Sequence, residues 1–366
     1  MRLLHVALQD FRNVPLVRLG LEGRQQFFVG ANGQGKTNLL EAIGFITALR
    51  SFRGADTRQV IAQGRAEARM VFAIEHEQLG RTELAVTLRS GAKEVSLDGE
   101  RIGRLGDVIG RFPTVAFSSQ DQQLIRGSPG GRRRWLDLTL AAADAAYLED
   151  LQAYHRALAG RNALLKREAR DEELTAFERP LARHGARLVA ARVVGLAALS
   201  AELVEAYGAI SDQAEPVGFS YAPDGNLPDE EAWRKRWETT RGRDRQMRAT
   251  SSGPHRDDFV FTLRDQPAAS FASEGQQRSL VLALRLAQAG WFRRRLGVEP
   301  VLLADDVLGE LDPARRRRFW SAVPERAQVV ATGTTLPDAS LGAWQIFAVA
   351  QGCFSRSDGD GSTTGP

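Results

Sequence analysis

The chain has 366 residues, 43% hydrophobic and 26% charged, enough for two or three domains with a sizeable core. No apolar run of about 18 residues occurs and residues 1–6 alternate like a strand, so a cytoplasmic protein with neither membrane span nor secretory leader is expected. A net charge of +4, from 49 basic against 45 acidic residues, is too even to establish a polyanionic partner; the single cysteine, Cys353, excludes an internal disulfide and a thiolate zinc cluster, so any metal is oxygen-bound.

Taken in order, Leu4 to Leu8 alternates like a strand, and the apolar run Phe27-Phe28-Val29 reads as a buried one. It leads into Gly30-Ala31-Asn32-Gly33-Gln34-Gly35-Lys36-Thr37, which fits G-x-x-x-x-G-K-[ST] and opens an apolar-periodic helix near Lys36, with Asn38 next in line. Glycines let backbone N–H groups close around a β-phosphate, the helix N-terminus adds positive potential, Lys36 reaches the β/γ oxygens, and Thr37 can ligate Mg²⁺. A nucleotide, ATP, is the expected ligand. Further strands are expected at Met70 to Ile74 and Leu84 to Leu88.

From Arg132 the pattern becomes helical. Tyr147, Leu148, Leu151, Tyr154, Leu158 and Leu165 recur at helical spacing, and a second series runs from Phe177 to Leu203 after the charged link Glu168 to Glu173. An antiparallel arm of helices about 25 residues long, roughly 35–40 Å each, follows. Pro223 to Pro228 is a turn-rich connector, then comes a basic amphipathic stretch with Trp233 and Trp237, and strands return at Phe259. Arginines cluster at Arg132-Arg133-Arg134, Arg234 to Arg248, Arg293-Arg294-Arg295 and Arg315 to Arg318. Any one cluster is ordinary for a solvated helix face; several together make nucleic acid plausible.

Val301-Leu302-Leu303-Ala304 ends in Asp305-Asp306, as a buried parallel strand delivering carboxylates beside a phosphate loop does. Asp305 would serve Mg²⁺ and Asp306 would polarise the attacking water. Ser273-Glu274-Gly275-Gln276, opening a leucine-rich helix, is locally a capping box. Phosphate loop, S-x-G-Q, apolar-D-D and then Gly309-Glu310-Leu311-Asp312 stand in the order of an ABC-type ATPase. The fold class expected is therefore α/β, a P-loop ATPase head carrying an inserted short antiparallel helical arm. Residues 1–120 and 249–352 would form the head, 121–248 the arm, and 353–366 a disordered tail. No internal repeat is evident.

Ser273 lies 237 residues after Lys36, far more than in a transporter's nucleotide domain, and the short inserted arm resembles that of the RecF family of SMC-like ATPases. The resemblance rests on Leu8-Gln9-Asp10-Phe11-Arg12-Asn13, Ser51-Phe52-Arg53, Gly127-Ser128-Pro129 with Arg132-Arg133-Arg134, Arg161-Asn162-Ala163-Leu164-Leu165-Lys166, and Gly253-Pro254-His255-Arg256-Asp257-Asp258. It covers nearly the whole chain in order. It implies an ATP-driven head-to-tail homodimer in which Ser273, Gly275 and Gln276 complete the partner's γ-phosphate site, and binding to double-stranded and gapped DNA. It also implies work with RecR and RecO in placing RecA, and weak DNA-stimulated ATP hydrolysis. Arg132, Arg133 and Arg134 are the first choice for DNA contact. Departures bear on catalysis: Gln120 stands in an altered phosphate-sensing loop, Gly309 replaces a serine, and Thr332-Gly333-Thr334 lacks the ABC switch histidine, so hydrolysis should be slow. His255 reads as a structural histidine. A scaffold binding ATP without turnover and a transporter subunit are the rival readings.

Overall fold

Leu3, Val6, Leu8 and Phe11 all face a core although they are unevenly spaced along β1 (Arg2–Phe11). A register shift between Leu3 and His5 in its pairing with β4 (Glu67–His76) absorbs the odd residue between Leu3 and Val6 and brings Leu3 to the same face as Val6 and Leu8. The computed structural model describes residues 1–167, 169–211, 215–225, 227 and 229–357. Glu168 of the expected link, Asn226 and Pro228 of the expected connector, and residues 358–366 of the expected tail lie outside them.

The chain divides into two compact units, residues 1–120 with 288–366, and residues 121–287. Between β1 and β4 come β2 (Val14–Gly20), β3 (Gln25–Val29), α1 (Lys36–Ala48) and α2 (Thr57–Val60); after β4 come β5 (Gly80–Arg89), β6 (Ala92–Leu97), β7 (Glu100–Arg101) and β8 (Thr114–Ser118). The second unit holds α3 (Gln122–Arg126), α4 (Pro129–Ala143), α5 (Ala145–Lys166), α6 (Asp171–Ile210), β9 (Val217–Ala222), α7 (Glu230–Met247), β10 (Asp258–Leu263), β11 (Gln266–Pro267) and α8 (Ala268–Phe271). α9 (Glu274–Leu296) begins there and ends in the first unit, which closes with β12 (Val301–Asp305), α10 (Val307–Glu310), α11 (Pro313–Ala322), β13 (Val329–Gly333), β14 (Gln345–Ala350) and β15 (Cys353–Arg356).

The first unit has two sheets. One is antiparallel, in the order β2-β1-β4-β5-β6-β7; the other runs β15-β14-β3-β13-β12-β8 and is parallel except for β15. Its central strands are near-continuous apolar runs, as strands covered on both faces must be. Leu39, Ile43 and Ile46 of α1 share one buried cluster with Phe28, Leu303 and Val330 of the parallel sheet and with Val6, Met70 and Val86 of the antiparallel one. This packing fixes the strand ends from which the site is built.

In the second unit α5 spans 22 residues, close to expectation, but α6 spans 40. The excess arises because α6 starts at Asp171 and continues through Pro180 to Ile210, so the apolar series beginning at Phe177 marks only its interior. Gly160 of α5 faces the ring of Phe177 of α6, and a Cβ there would collide with it, so this contact between the helices needs a residue without a side chain. Cys353–Arg356, expected in a structureless tail, instead pair with β14, because Phe354 finds the ring of Phe28.

Candidate functional site

The phosphate loop leaves β3, whose neighbours β13 and β14 leave no room beside Gly30: a Cβ there would strike the Val349 carbonyl. Gly33 (φ 79°) and Gly35 (φ 109°) take left-handed conformations that only glycine adopts freely. No side chain caps α1, so its first N–H groups and the positive end of its dipole are directed at whatever the loop encloses. Lys36 is 3% exposed, and its ammonium donates to the carbonyls of Gly30 (2.7 Å) and Ala31 (3.0 Å), two of its three N–H bonds.

The loop is held from behind by residues remote in sequence. The Gly352 N–H donates to the Gln34 carbonyl at 2.8 Å and the Gln351 N–H to Gln34 Oε1 at 2.7 Å. Asn38 Nδ2 donates to Asn13 Oδ1 at 2.7 Å. Glu41, wholly buried in α1, accepts from Arg12, Arg53 and Ser51. Two sequence motifs, around Arg12 and around Ser51, thus converge on one carboxylate and set the frame of the helix that carries Lys36 and Thr37.

At the end of β12 the Thr37 hydroxyl donates to Asp305 Oδ1 at 2.8 Å, and the Thr332 hydroxyl donates to the same oxygen at 3.0 Å. Burial raises the Asp305 carboxyl above its ordinary range, opposed by these two hydrogen bonds and reinforced by neighbouring Asp306. A cation there would relieve that cost. Thr37 Oγ1 and the Asp305 carboxylate are hard oxygen donors, and among the described residues no cluster of three or more His, Cys, Asp or Glu competes for a metal. The donor set suits Mg²⁺, which takes few protein ligands and completes its shell with phosphates and water. Asp306 follows in a left-handed conformation (φ 57°), its N–H donating to Thr332 Oγ1 at 3.0 Å. It faces a cavity of about 390 Å³ that is also lined by Asn32 of the loop, Gly309, Arg316 and Thr334. Gln120 is exposed in the turn after β8, whose Ser118 is the register partner of Asp305.

In the second unit Ser273 and Gln276 form the reciprocal capping box of α9: the Ser273 N–H donates to Gln276 Oε1 (2.7 Å) and the Gln276 N–H to Ser273 Oγ (3.2 Å). Ser273 is exposed, Gly275 half-buried, and Gln276 Nε2 donates to Glu215 Oε1 at 2.9 Å.

The three arginines proposed for DNA do not share a surface. Arg132 is 6% exposed and forms a two-pronged pair with Asp258, both bonds 2.8 Å, while also donating to the Gly127 carbonyl. Half-buried Arg133 donates to the Asp257 carbonyl. Only Arg134 is exposed. Three consecutive helical residues point in three directions, and Arg132 faces β10 through its pair with Asp258. Arg234, Arg236, Arg243 and Arg248, by contrast, are all exposed on or beside α7, whose Trp233 and Trp237 are buried.

The remaining motifs are structural. Arg161 pairs with Glu178 and Asp244, Asn162 accepts from the Thr250 N–H, and Asp257 accepts from Arg192 and Tyr221. His255 Nε2 contacts the Thr250 carbonyl and Nδ1 the Tyr154 hydroxyl, and burial pushes its pKa down to about 4, so the ring is neutral. Thr332, Glu41 and Gln351-Gly352 were not anticipated. Thr332 carried a signal, since its strand V-V-A-T-G ends beside the strand bearing Asp305; a hairpin turn bracing Gln34 carries none.

Residues 2–338 match the RecF/RecN/SMC N terminal domain family. The chain is 38% identical over 356 residues to the DNA replication and repair protein RecF of Anaeromyxobacter dehalogenans (strain 2CP-C), covering 93% of this chain and 95% of that protein. It is 36% identical over 374 residues to the RecF of Microcystis aeruginosa (strain NIES-843 / IAM M-2473), with coverage of 96% and 99%. Among solved structures it resembles the recombination mediator protein RecF with ATP in the RecFOR pathway, at TM-score 0.90 and 27% identity over 97% of each chain. An SMC head bound to the C-winged helix domain of ScpA shares the fold at TM-score 0.55 and 15% identity, covering 98% of each chain. Among the described residues no helix is long and apolar enough to cross a membrane.

Proposed function

The chain belongs to the RecF family, and from that premise we propose that it is an ATP-dependent DNA-binding protein of recombinational gap repair and replication restart. The observation that carries the nucleotide chemistry is the 2.8 Å bond from Thr37 to Asp305, which joins the phosphate loop to the strand that ends in two carboxylates. When bound, Mg²⁺ neutralises and polarises β- and γ-phosphate oxygens. Thr37 and Asp305 would hold it, and Lys36 and the N–H groups of residues 30–38 would bind the phosphates. Asp306 accepts a hydrogen bond from the attacking water and orients it, with Gln120 in the turn after the neighbouring strand β8. Slow hydrolysis, stimulated by DNA, resets the protein.

ATP drives a head-to-tail homodimer in which Ser273, Gly275 and Gln276 of one copy meet the γ-phosphate held by the other. The exposure of Ser273 at the start of α9 supports this reading. The dimer binds double-stranded and gapped DNA and assists RecR and RecO in loading RecA. Solution mass with and without ATP tests it. Wild type should double in mass, whereas Ser273→Arg should bind ATP normally and remain monomeric. Loss of a cap costs only about 1 kcal/mol, so a normal ATP-induced dimer in this variant refutes the trans site. An absence of phosphate release from a DNA-bound wild type would favour the rival scaffold that never turns over.

DNA contacts are to phosphates, so affinity should fall steeply with salt and vary little with sequence. The exposed arginines Arg134, Arg236 and Arg243 are now the candidates. Replacing one true contact by alanine should reduce the salt slope by about one unit. Arg132→Ala should instead lower stability by about 3 kcal/mol, since it strands Asp258 in a partly buried pair. Salt titrations of the ATP-loaded protein, with unfolding curves of each variant, separate these outcomes.

A further inference from the structure

We propose that Thr332 is a positioning residue for ATP hydrolysis, one hydroxyl that sets both carboxylates at the end of β12. The inference rests on the hydrolytic reading of Asp305 and Asp306 given above. Thr332 is 1% exposed near the end of β13, where the parallel register Ala304↔Ala331 places it alongside Asp305. A threonine hydroxyl has one proton and two lone pairs. The Asp306 N–H can only donate, so it takes a lone pair of the hydroxyl at 3.0 Å, and the hydroxyl proton is given to Asp305 Oδ1, also 3.0 Å away. Both roles are fixed, and the hydroxyl has no alternative orientation that keeps both bonds.

The consequence differs for the two aspartates. Asp305 Oδ1 accepts from Thr37 and Thr332 together, so two hydroxyls from neighbouring strand and helix ends fix one oxygen of the carboxylate. Asp306 has a left-handed backbone (φ 57°, ψ 6°), which breaks the strand direction, and it lines the cavity shared with Asn32. A non-glycine residue holds this conformation only when its surroundings over-determine it. The tie from its N–H to the neighbouring strand is such a restraint. In this chain the position near the end of β13 thus acts from within, on the carboxylates, at the strand end where the sequence lacks the ABC switch histidine.

The test compares Thr332→Val, which keeps shape and removes the hydroxyl, with Thr332→Ser, which keeps the hydroxyl and removes the methyl. In single-turnover hydrolysis with saturating ATP and Mg²⁺, Thr332→Val should be slowed about 10–100-fold, a larger effect than on ATP affinity, and Thr332→Ser should recover most of the rate. Hydrogen exchange at the Asp306 amide should quicken in Thr332→Val and not in Thr332→Ser, a readout that does not depend on catalysis. Wild-type hydrolysis by Thr332→Val while Asp306→Asn is inactive overturns this role alone. Equal slowing in both Thr332 variants also overturns it, since packing and not the hydroxyl then matters. Wild-type hydrolysis by Asp306→Asn overturns the catalytic reading beneath it, whatever the exchange shows.

Discussion

Arg161→Met should destabilise the helical unit by about 3–5 kcal/mol. The guanidinium is fully buried in α5, donating to Glu178 of α6 at 3.0 and 3.1 Å, to Asp244 of α7 at 2.7 Å, and to Thr250 at 2.9 Å. Removing it does different things to its two acids. Glu178 keeps Arg241, but Asp244, also fully buried, loses its only cation among the described residues and retains just the Ser251 N–H and a long contact from Thr240. An uncompensated buried charge costs far more than the intact pair contributes, because the desolvation penalty is no longer offset. Urea unfolding of the isolated variant gives the loss directly. Adding Asp244→Asn to Arg161→Met should restore part of it, because the stranded charge is removed with its partner. A loss under about 1 kcal/mol would mean that water reaches the network and that the R-N-x-L-L-K stretch is not the unit's keystone.

That stretch shows where sequence reading succeeds and where it stops. The phosphate loop, the β12 carboxylates and the α9 capping box are legible because each is a local pattern whose chemistry depends on residues a few positions apart. The strands β1, β4 and β5 are legible by alternation, and only their ends were short. What could not be read were pairings across long separations. Nothing local distinguishes Arg132, locked to Asp258, from Arg134, exposed two residues later. Nothing near Glu41 shows that Arg12 and Arg53 both reach it. The length of α6 was missed for a physical reason of another kind. Proline at its tenth position and polar residues in its first turns suggest a break, yet packing against α5 and α7 outweighs the one backbone bond that Pro180 removes.

Asp306→Asn should keep ATP and lose at least a hundredfold in hydrolysis, while Lys36→Met should lose ATP itself. The contrast follows from where each side chain stands. Lys36 is enclosed by the loop, bonded to the Gly30 and Ala31 carbonyls, so its ammonium is set by the same backbone that surrounds the phosphates. Its loss removes a charge-assisted contact of about 1.5–3 kcal/mol, a tenfold or larger fall in affinity. Asp306 is held by its backbone, whose N–H is bonded to Thr332, and the residue lines the cavity together with Asn32. An amide of the same shape preserves that placement but is a poor base, and a positioned general base is worth about 10²–10⁴ in rate. Asp305→Ala should behave differently from both, weakening Mg²⁺ dependence and ATP binding together, because it removes the oxygen that Thr37 and Thr332 both address. The measurements are equilibrium nucleotide binding with and without Mg²⁺ and single-turnover phosphate release. If the enzyme turns over as proposed, Asp306→Asn should also accumulate as the ATP-loaded dimer, since resetting requires hydrolysis. Rapid phosphate release from Asp306→Asn would transfer the water-orienting role to another group, with Gln120 the first to test by substitution.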